Sequence, residues 1–365
     1  MINKLQDEKA ILIAGGYGIV GSQIATIIRQ RYPKMPLIIA GRDVKKANQF
    51  ANTLGYAKGI AMDVTKVNQI SPLNGKLAAV VTATNDPHNH ILLDTIRNHI
   101  PYIDVTRWTA RLKEAIIRIS GEKFTQPIIF SSAWMAGTAA LLAKKVSEQF
   151  SSIDTIDIDI LFSLKDKAGP NSVEFVDQLG TPYDILDGGN IRTVKSMTEP
   201  KYVNFESGFS TKTYRFDTPD QLTLPMLSAA KSVSSRIAYD DQHTVGFLSF
   251  MVRSGFWRII NRPMFKKFRH SLLYNPGEGG PHEVLVTVIG KGADGLHKTV
   301  RASLLDGKGQ THLTALGGVI QVERALSIGD NAGIYPRVNF SEHHENIDIA
   351  LATLKNHGVK IIIKS

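Results

Sequence analysis

Six residues near the N-terminus have types and a spacing that suit phosphate binding. Gly16-Tyr17-Gly18-Ile19-Val20-Gly21 matches the pattern G-x-G-x-x-G directly after a short apolar run. Glycine at these three positions permits a tight turn, the close approach of backbone to a pyrophosphate, and the packing of a helix on a strand. A helix that begins here directs free N–H groups and a partial positive charge toward the phosphates. The alternative is a tight turn without a ligand, but the strand–turn–helix context favours a dinucleotide site.

The residues after the second predicted strand distinguish NADP from NAD. An NAD site usually offers Asp or Glu to the ribose 2′-hydroxyl about 20 residues beyond the glycines. Here Arg42 stands at that position, and Lys45 and Lys46 follow one turn later. Because a guanidinium can hold a 2′-phosphate in bidentate fashion and stack on adenine, the sequence predicts NADP, with NAD the less favoured cofactor. The alternative is an exposed arginine at a helix start, where Asp43 is interpreted as the helix cap.

Residues after the third and fourth predicted strands should complete the nucleotide site. In open α/β sheets, ligands bind outside the carboxyl ends of the strands. Asp63 and Val64 follow the third strand, where an adenine edge could be contacted. Thr82, Ala83 and Thr84 follow the fourth strand and are expected to line the cleft beside the cofactor.

Hydride transfer to an imine or a carbonyl needs alignment, a proton donor and a cation for substrate carboxylates. Asp104 and Arg107 follow the fifth predicted strand. Asp104 could hold a substrate ammonium or orient a proton relay, and Arg107 could clamp a carboxylate; the alternatives are a buried turn acceptor and a salt bridge. His88 could supply a proton near neutral pH, or simply be an exposed residue at a helix start. His343 and His344 are interpreted as a solvated loop, and no motif assigns a metal or a nucleophile.

The elements that must position these residues alternate along the first part of the chain. The predicted strands cover 10–14, 36–40, 59–62, 77–83, 102–105 and 128–131. The predicted helices cover 19–31, 43–54, 88–98 and 136–150. This alternation predicts an α/β fold whose core is a Rossmann doubly wound parallel sheet.

The pattern changes after Ser152, and it predicts a second α/β domain with a mixed sheet. Residues 153–162, 193–216 and 283–305 alternate apolar and polar side chains like half-exposed strands, while 225–274 reads as helical. A helix over 347–358 and a strand over 359–363 are expected to return to the first domain. The predicted domains are therefore 1–132, completed by 335–365, and a substrate and dimerisation domain over 133–334.

Composition limits the compartment and the partners. The 365-residue chain has no cysteine and carries a net charge of +10. Disulfides are excluded, and neither a signal peptide nor an apolar run of spanning length (about 20 residues) is evident, so we expect a cytoplasmic protein. The positive charge suits a phosphorylated or carboxylated ligand, and the lack of a nucleic-acid-binding motif argues against nucleic acid.

Residues 247–274 interleave aromatic and basic side chains and allow two interpretations. A basic amphipathic helix can lie on an anionic membrane, although Pro263 would interrupt a single helix. The favoured interpretation is a pair of helices that pack their apolar faces on the second domain or across a dimer interface. Membrane binding is kept as the alternative.

Three passages resemble the saccharopine dehydrogenase family, in particular its saccharopine-reductase-like branch. They are residues 11–25 (ILIAGGYGIVGSQIA) with Ala40-Gly41-Arg42-Asp43, residues 93–106 (LDTIRNHIPYIDVT) and residues 136–146 (AGTAALLAKKV). A weaker likeness follows at Gly333-Ile334-Tyr335-Pro336. The resemblance implies a Rossmann domain, a second α/β domain, a homodimer and NAD(P) chemistry at C–N bonds of amino acids, and hence a small carboxylated substrate.

By position, the resemblance carries over nucleotide-site or active-site roles to a small set of residues. These are Gly16, Gly18, Gly21, Arg42 and Asp104. The chain departs from the family's pattern at Thr84-Asn85-Asp86-Pro87, at Arg107-Trp108 and at Pro336-Arg337. These departures leave the substrate open. They also leave open a sensor or scaffold that binds NADP(H) without turnover, and a membrane-peripheral oxidoreductase that acts on a lipid-like substrate.

Overall fold

The computed structural model describes residues 9–166, 175–273, 279–329 and 334–364. The chain divides into two compact units. The first unit consists of the chain up to Gly137 together with Thr311–Ile349. The second unit consists of Thr138–Gln310 together with the chain from Ala350 onward. Three residues of the predicted segments lie outside the described residues: Tyr274 at the end of 247–274, Gly333 of the Gly-Ile-Tyr-Pro sequence, and Ser365.

The described strands are numbered in chain order. They are β1 (Ala10–Ala14), β2 (Leu37–Gly41), β3 (Ala57–Ala61), β4 (Leu77–Thr82), β5 (Tyr102–Asp104), β6 (Ile128–Phe130), β7 (Ser152–Phe162), β8 (Pro182–Asp187), β9 (Asn190–Lys195), β10 (Lys201–Asn204), β11 (Ser210–Arg215), β12 (Ser232–Tyr239), β13 (His282–Lys291), β14 (His297–Asp306), β15 (Val338–Phe340) and β16 (Lys360–Lys364).

The described α-helices are numbered in the same way. They are α1 (Ile19–Arg31), α2 (Val44–Leu54), α3 (His90–Arg97), α4 (Thr109–Ile119), α5 (Thr138–Ser147), α6 (Asp220–Ser228), α7 (Gln242–Arg253), α8 (Trp257–Ile260), α9 (Lys266–Leu273), α10 (Gln310–Leu326) and α11 (Ile347–Asn356). Among the described residues, no helix combines the length and the apolar character that crossing a bilayer requires.

The first unit contains a seven-stranded sheet in the order β15-β6-β5-β4-β1-β2-β3. Every neighbouring pair in it is parallel. The order β3-β2-β1-β4-β5-β6 is that of dinucleotide-binding folds, with β15 added beside β6. Ile11, Leu12 and Ile13 of the interior strand β1 are fully buried, as a parallel sheet covered on both faces requires. The predicted Rossmann sheet is thus confirmed.

The register of this sheet brings the strand ends together. Phe340 pairs with Phe130, Phe130 with Asp104, Asp104 with Thr82, and Thr82 with Ala14. We call this side of the first sheet the carboxyl edge. Because ligands of open α/β sheets bind at this edge, the loops that follow these strands form the candidate site.

The second unit contains a mixed seven-stranded sheet, in the order β10-β11-β12-β7-β13-β14-β16. The pair β12 and β7 is parallel, and the other pairs are antiparallel. A separate hairpin joins β8 and β9. Helix α5 packs on β13 and β14, while α6 and α7 pack on β12. The predicted mixed sheet with helical cover is therefore confirmed.

Two expectations about the second unit are wrong. The segment 225–274 is not helical throughout, since β12 lies within it and pairs with β7. Its sequence SVSSRIAY is almost entirely buried, and buried Ser234 and Arg236 hide the alternation by which a strand is normally recognised. The final strand does not return to the first sheet either, because β16 pairs with β14 in the second. Residues 193–216, which were expected to be strand-like, cover parts of three strands, β9, β10 and β11.

Candidate functional site

The turn between β1 and α1 is fixed by backbone hydrogen bonds. The N–H groups of Gly15 and Gly16 donate to the carbonyl of Ala40, at 2.9 and 3.1 Å, and Gly18 N–H donates to Gly15 O at 2.9 Å. Gly15 has a left-handed φ of +79°. Helix α1 begins directly after Gly18, which has no side chain to cap it. The first N–H groups of α1 are therefore left to a ligand or to water at the carboxyl edge.

Packing requires two of the motif's three glycines, and the third has a different part. A Cβ added to Gly16 would lie 2.8 Å from Ile13 O, and one added to Gly21 would lie 2.3 Å from Gly15 O. Protein packing alone therefore demands glycine at both positions. A Cβ on Gly18 would lie 3.1 Å from Gly15 O. Among the described residues other than its two chain neighbours, no other atom would lie within 4 Å of it. The open space beside Gly18 is the cradle that a pyrophosphate would occupy, so the motif fits a dinucleotide.

Tyr17 connects the glycine turn to the end of β2. Its hydroxyl accepts a hydrogen bond from the backbone N–H of Asp43 at 3.0 Å. Its ring packs so closely on Gly41 that a Cβ there would lie 2.4 Å from Tyr17 Cε1. The carboxylate of Asp43 accepts from the N–H groups of Lys45 and Lys46, at 3.0 and 3.2 Å, which confirms its interpretation as the cap of α2.

Arg42 is exposed at the end of β2, as a residue that binds an external phosphate should be. Within the part of the chain that the structure describes, its side chain has neither a hydrogen bond nor an ion pair. Asp63 accepts hydrogen bonds from the N–H and hydroxyl of Thr65, at 3.1 and 2.7 Å. These bonds, and then the charges of Lys66 and Arg42, lower the pKa of Asp63. Arg42 and Asp63 thus lie close enough to interact electrostatically.

The residues after β4 lie against the glycine turn. Ala83 N–H donates to Ala14 O at 2.9 Å. A Cβ on Gly15 would lie 2.9 Å from both Ala83 O and the Cβ of Thr84. Thr82 is fully buried, whereas Ala83 and Thr84 are half-buried. The structure therefore brings the backbone of 83–84 to the glycine turn, and it keeps the side chain of Thr82 in the core.

Asp104 and Arg107 form a buried ion pair. Arg107 Nε donates to Asp104 Oδ2 at 2.7 Å, and the Tyr102 hydroxyl donates to the same oxygen at 2.7 Å. Asp104 Oδ1 accepts from the N–H and hydroxyl of Thr106, at 2.9 and 3.0 Å. Asp104 is 0% exposed and Arg107 is 2% exposed. Both side chains are committed to the interior.

Further partners surround the Arg107 guanidinium. It donates to Asn89 Oδ1, lies 3.9 Å from Asp86 and sits 5.5 Å from the ring centroid of Phe130. Burial by itself lowers the pKa of Arg107, but the Asp104 carboxylate and the Tyr102 oxygen more than offset this and raise it. This geometry favours the structural interpretations, a turn acceptor for Asp104 and a salt bridge for Arg107. Substrate contact by Asp104 or Arg107 stays a prediction, and the burial of both side chains does not support it.

Asp86 organises the start of α3. Its carboxylate accepts from the N–H groups of His90 and Leu92, at 3.0 and 3.2 Å, and burial raises its pKa. Asn89 adopts a left-handed φ of +59° just before the helix. His88 is exposed, with its ring 5.3 Å from that of His90. His88 is therefore accessible near the carboxyl edge, and its part in proton transfer stays a prediction.

Sequence reasoning missed a second set of polar residues at the carboxyl edge. The hydroxyls of Ser131 and Ser341, which follow β6 and β15, lie 2.7 Å apart, and Ser131 also donates to Ala136 O. Met135, Ala136 and Gly137 all have left-handed φ values, of +52°, +50° and +83°. A left-handed φ is strained for Met135 and Ala136, though not for Gly137, and such strain persists only where the surroundings impose it. A Cβ on Gly137 would lie 1.9 Å from Ser341 Oγ, so the two loops are locked together.

The interpretation of His343 and His344 as a solvated loop is wrong. His344 is 5% exposed, and His343 Nδ1 accepts the N–H of Phe340 at 3.1 Å. Burial, and then the charge of Arg324, lowers the pKa of each histidine to about 4, so both are neutral near pH 7. Neither ring nitrogen of His344 has a hydrogen-bond partner among the described residues. The signal that could have located them is β15, but its three residues, with Asn339 between Val338 and Phe340, are too few to be recognised as a strand.

Comparison with protein-family models gives no match for this sequence. Comparison with curated proteins gives none either. Among solved structures, the chain is similar to apo saccharopine dehydrogenase (L-Glu forming) from Saccharomyces cerevisiae, with a TM-score of 0.68 and 14% identity over 98% of this chain and 100% of that chain. It also aligns with a myo-inositol dehydrogenase from Corynebacterium glutamicum, with a TM-score of 0.44 and 11% identity over 98% and 99% of the two chains. The first likeness confirms, at the level of the fold, the resemblance to saccharopine dehydrogenases.

Proposed function

We propose that this chain is an NADP(H)-dependent oxidoreductase that acts at a C–N or C–O bond of a small, carboxylated, amino-acid-derived substrate. One observation carries the proposal. The glycine turn opens α1 at the carboxyl edge of a Rossmann sheet, and exposed Arg42 follows the neighbouring strand. The fold shared with a saccharopine dehydrogenase supports the reaction class.

The residues present suit the parts of NADP(H) that distinguish it from other ligands. The N–H groups at the start of α1 bind the pyrophosphate, and Gly18 leaves space for it. Arg42 holds the 2′-phosphate, assisted by the exposed ammonium groups of Lys45 and Lys46. When bound, the nicotinamide accepts or supplies the hydride.

Turnover at a C–N or C–O bond also needs a group that accepts or donates a proton. His88 is exposed and can exchange protons with solvent. His344 is the second candidate, because it is a neutral imidazole with two ring nitrogens that lack protein partners among the described residues. A neutral imidazole nitrogen can accept a proton or, in the other tautomer, donate a hydrogen bond to a substrate heteroatom.

The test is a turnover assay that follows the loss of NADPH absorbance with panels of keto acids, alone and paired with amino acids. Activity with at least one carboxylated substrate is expected, together with its loss in Gly18→Val, which fills the pyrophosphate space. Activity that persists in Gly18→Val would mean that the glycine turn does not hold the cofactor, and it would contradict the proposal.

A second candidate function is an NADP(H) sensor or scaffold without turnover. The observation that favours it is the burial of Asp104 and Arg107, which commits two of the predicted catalytic side chains to the protein interior. NADPH binding that is tight, specific and lost in Gly18→Val, with no turnover across the panels, would support the sensor over the enzyme.

A further inference from the structure

The three helices α7 to α9 expose large apolar side chains on a single stretch of chain. Their solvent exposure ranges from 49% for Ile259 to 77% for Met264. The full set is Phe247, Phe250, Phe256, Ile259, Met264 and Phe268. These side chains therefore do not pack on the second unit, which was one of the two surfaces expected for them; packing across a dimer interface, the other, stays a prediction. Clusters of exposed apolar side chains of this kind mark interaction sites.

The same helices have another face that does pack inward. Val245, Leu248 and Val252 of α7 are buried, at the i, i+3 and i+7 spacing of a core-facing stripe. Trp257 of α8 is 3% exposed and lies beside Gly180, where a Cβ would be 3.3 Å from its ring. These contacts account for the fold of the segment. The exposed apolar residues are thus not needed for it, and their exposure on a folded chain favours a binding surface.

The same stretch of chain is rich in positive charge. Residues 242–277 contain no Asp or Glu. Five basic residues there are exposed and form no ion pair with any described residue: Arg253, Arg258, Arg262, Lys266 and Lys267. A sixth, Arg269, is buried and is paired with Asp177 at 2.7 Å, so it has a structural part. We call the six exposed apolar and five exposed basic residues the aromatic–basic face.

We infer that the aromatic–basic face binds the surface of an anionic lipid bilayer. Aromatic and aliphatic side chains enter the boundary between headgroups and acyl chains, while Arg and Lys reach the lipid phosphates. Charge decides against the other plausible occupant, a second copy of this chain. A two-fold interface places the same patch of both subunits in contact, and this would set five cations against five cations without any carboxylate from the segment.

The test is co-sedimentation of the full chain with vesicles of phosphatidylcholine alone and of phosphatidylcholine with phosphatidylglycerol. Binding only to the anionic vesicles is expected. It should weaken strongly when ionic strength rises from about 0.1 M to about 1 M, because the Debye length falls from about 10 Å to about 3 Å. Equal binding to both vesicle types, or none to either, would overturn the inference.

Paired variants separate the two components of the face. Phe247→Ser/Phe250→Ser removes apolar side chains, and Arg258→Gln/Lys267→Gln removes charge; each should reduce partitioning about tenfold. The matched controls are Ile191→Ser/Leu296→Ser and Lys195→Gln/Lys212→Gln, which change elsewhere in the second unit apolar residues that are at least as exposed and lysines that are also exposed. These should bind like the wild type. An equal loss of vesicle binding in the controls would contradict the inference that lipid binds at the aromatic–basic face.

Sedimentation velocity without lipid tests directly whether the aromatic–basic face binds a second copy of the chain. If the wild type is a dimer and Phe247→Ser/Phe250→Ser is a monomer, the face is a subunit contact and the lipid inference is wrong. Circular dichroism and NADPH binding of each variant show whether the fold is retained. Lipid binding does not depend on the proposed function, so loss of lipid binding with intact NADPH binding overturns only the inference made here.

Discussion

The hydroxyl of Tyr17 accepts the backbone N–H of Asp43 at 3.0 Å, and its ring rests on Gly41. This contact joins the glycine turn after β1 to the end of β2. Arg42 lies between Gly41 and Asp43, so Tyr17 determines where the backbone of Arg42 stands relative to the turn. The predicted binding sites for pyrophosphate and for 2′-phosphate are therefore held together by one side chain.

Gly41→Ala should weaken NADPH binding. The new Cβ would lie 2.4 Å from Tyr17 Cε1, so the ring must move and its hydrogen bond to Asp43 is lost. We expect a Kd increase of about three- to tenfold, corresponding to one hydrogen bond of about 1 kcal/mol. Gly121→Ala is the control, because no atom lies within 4 Å of the added Cβ. Unchanged affinity in Gly41→Ala would show that Tyr17 does not position the site.

Gly18→Ala should mainly weaken NADPH binding, whereas Gly21→Ala should mainly destabilise the fold. A Cβ on Gly21 meets Gly15 O at 2.3 Å, and so Gly21→Ala should lower the free energy of unfolding by about 1–3 kcal/mol. A Cβ on Gly18 meets Gly15 O at 3.1 Å, so the fold should tolerate it, while NADPH binding falls at least about tenfold because the pyrophosphate space is filled. Urea unfolding and nucleotide titration measure the two effects. Equal loss of stability in both variants would mean that Gly18 is only a packing glycine.

Arg107→Met tests whether the buried ion pair is structural. Removing the guanidinium leaves the Asp104 carboxylate buried without its charged partner, and losses of about 3–5 kcal/mol in unfolding free energy are typical of such changes. Arg118→Met, at an exposed position of α4, should change stability by less than about 0.5 kcal/mol. If Arg107→Met unfolds like the wild type but loses turnover, Arg107 contacts substrate after all, as its position after β5 first indicated.

His344 should make stability depend on pH. A histidine in the unfolded chain has a pKa of about 6.5, whereas burial lowers the pKa of His344 in the folded chain to about 4. Between these values the unfolded chain binds a proton that the folded chain does not, so the free energy of unfolding falls as pH is lowered through this window. His344→Asn should remove up to about 3 kcal/mol of that fall, while the two proteins keep a constant difference in stability above about pH 7.5. Parallel curves from pH 7 to pH 4 would contradict this burial.

Much of the first sheet could be predicted because its sequence signals are local. The strands β1, β2 and β4 are continuous apolar runs, the glycine motif marks the turn, and Asp43 caps α2 through its own backbone neighbours. Signals of this kind depend on a few adjacent residues. They therefore do not depend on contacts with distant parts of the chain.

The features that were missed depend on distant contacts. Strand β12 carries buried polar residues whose partners lie elsewhere, as when Arg215 donates to Ser234 at 2.8 Å. Asp104 lies at the end of β5, at the carboxyl edge as predicted, but only the Arg107 and Tyr102 side chains reveal that it is buried. The burial of His344 likewise depends on β15 joining the sheet at β6. No local pattern carries this information, because burial is a property of the assembled fold.

The most direct test of the central claim is a titration of the wild type and Arg42→Ala with NADPH and NADH, followed by nucleotide fluorescence. The wild type should prefer NADPH, and Arg42→Ala should lose about ten- to hundredfold in NADPH affinity while NADH affinity changes little, as expected for one charge-assisted contact. Arg118→Ala should bind both nucleotides like the wild type. Failure of the wild type to bind either nucleotide, or equal affinity for both that Arg42→Ala leaves unchanged, would contradict the proposed NADP(H) site.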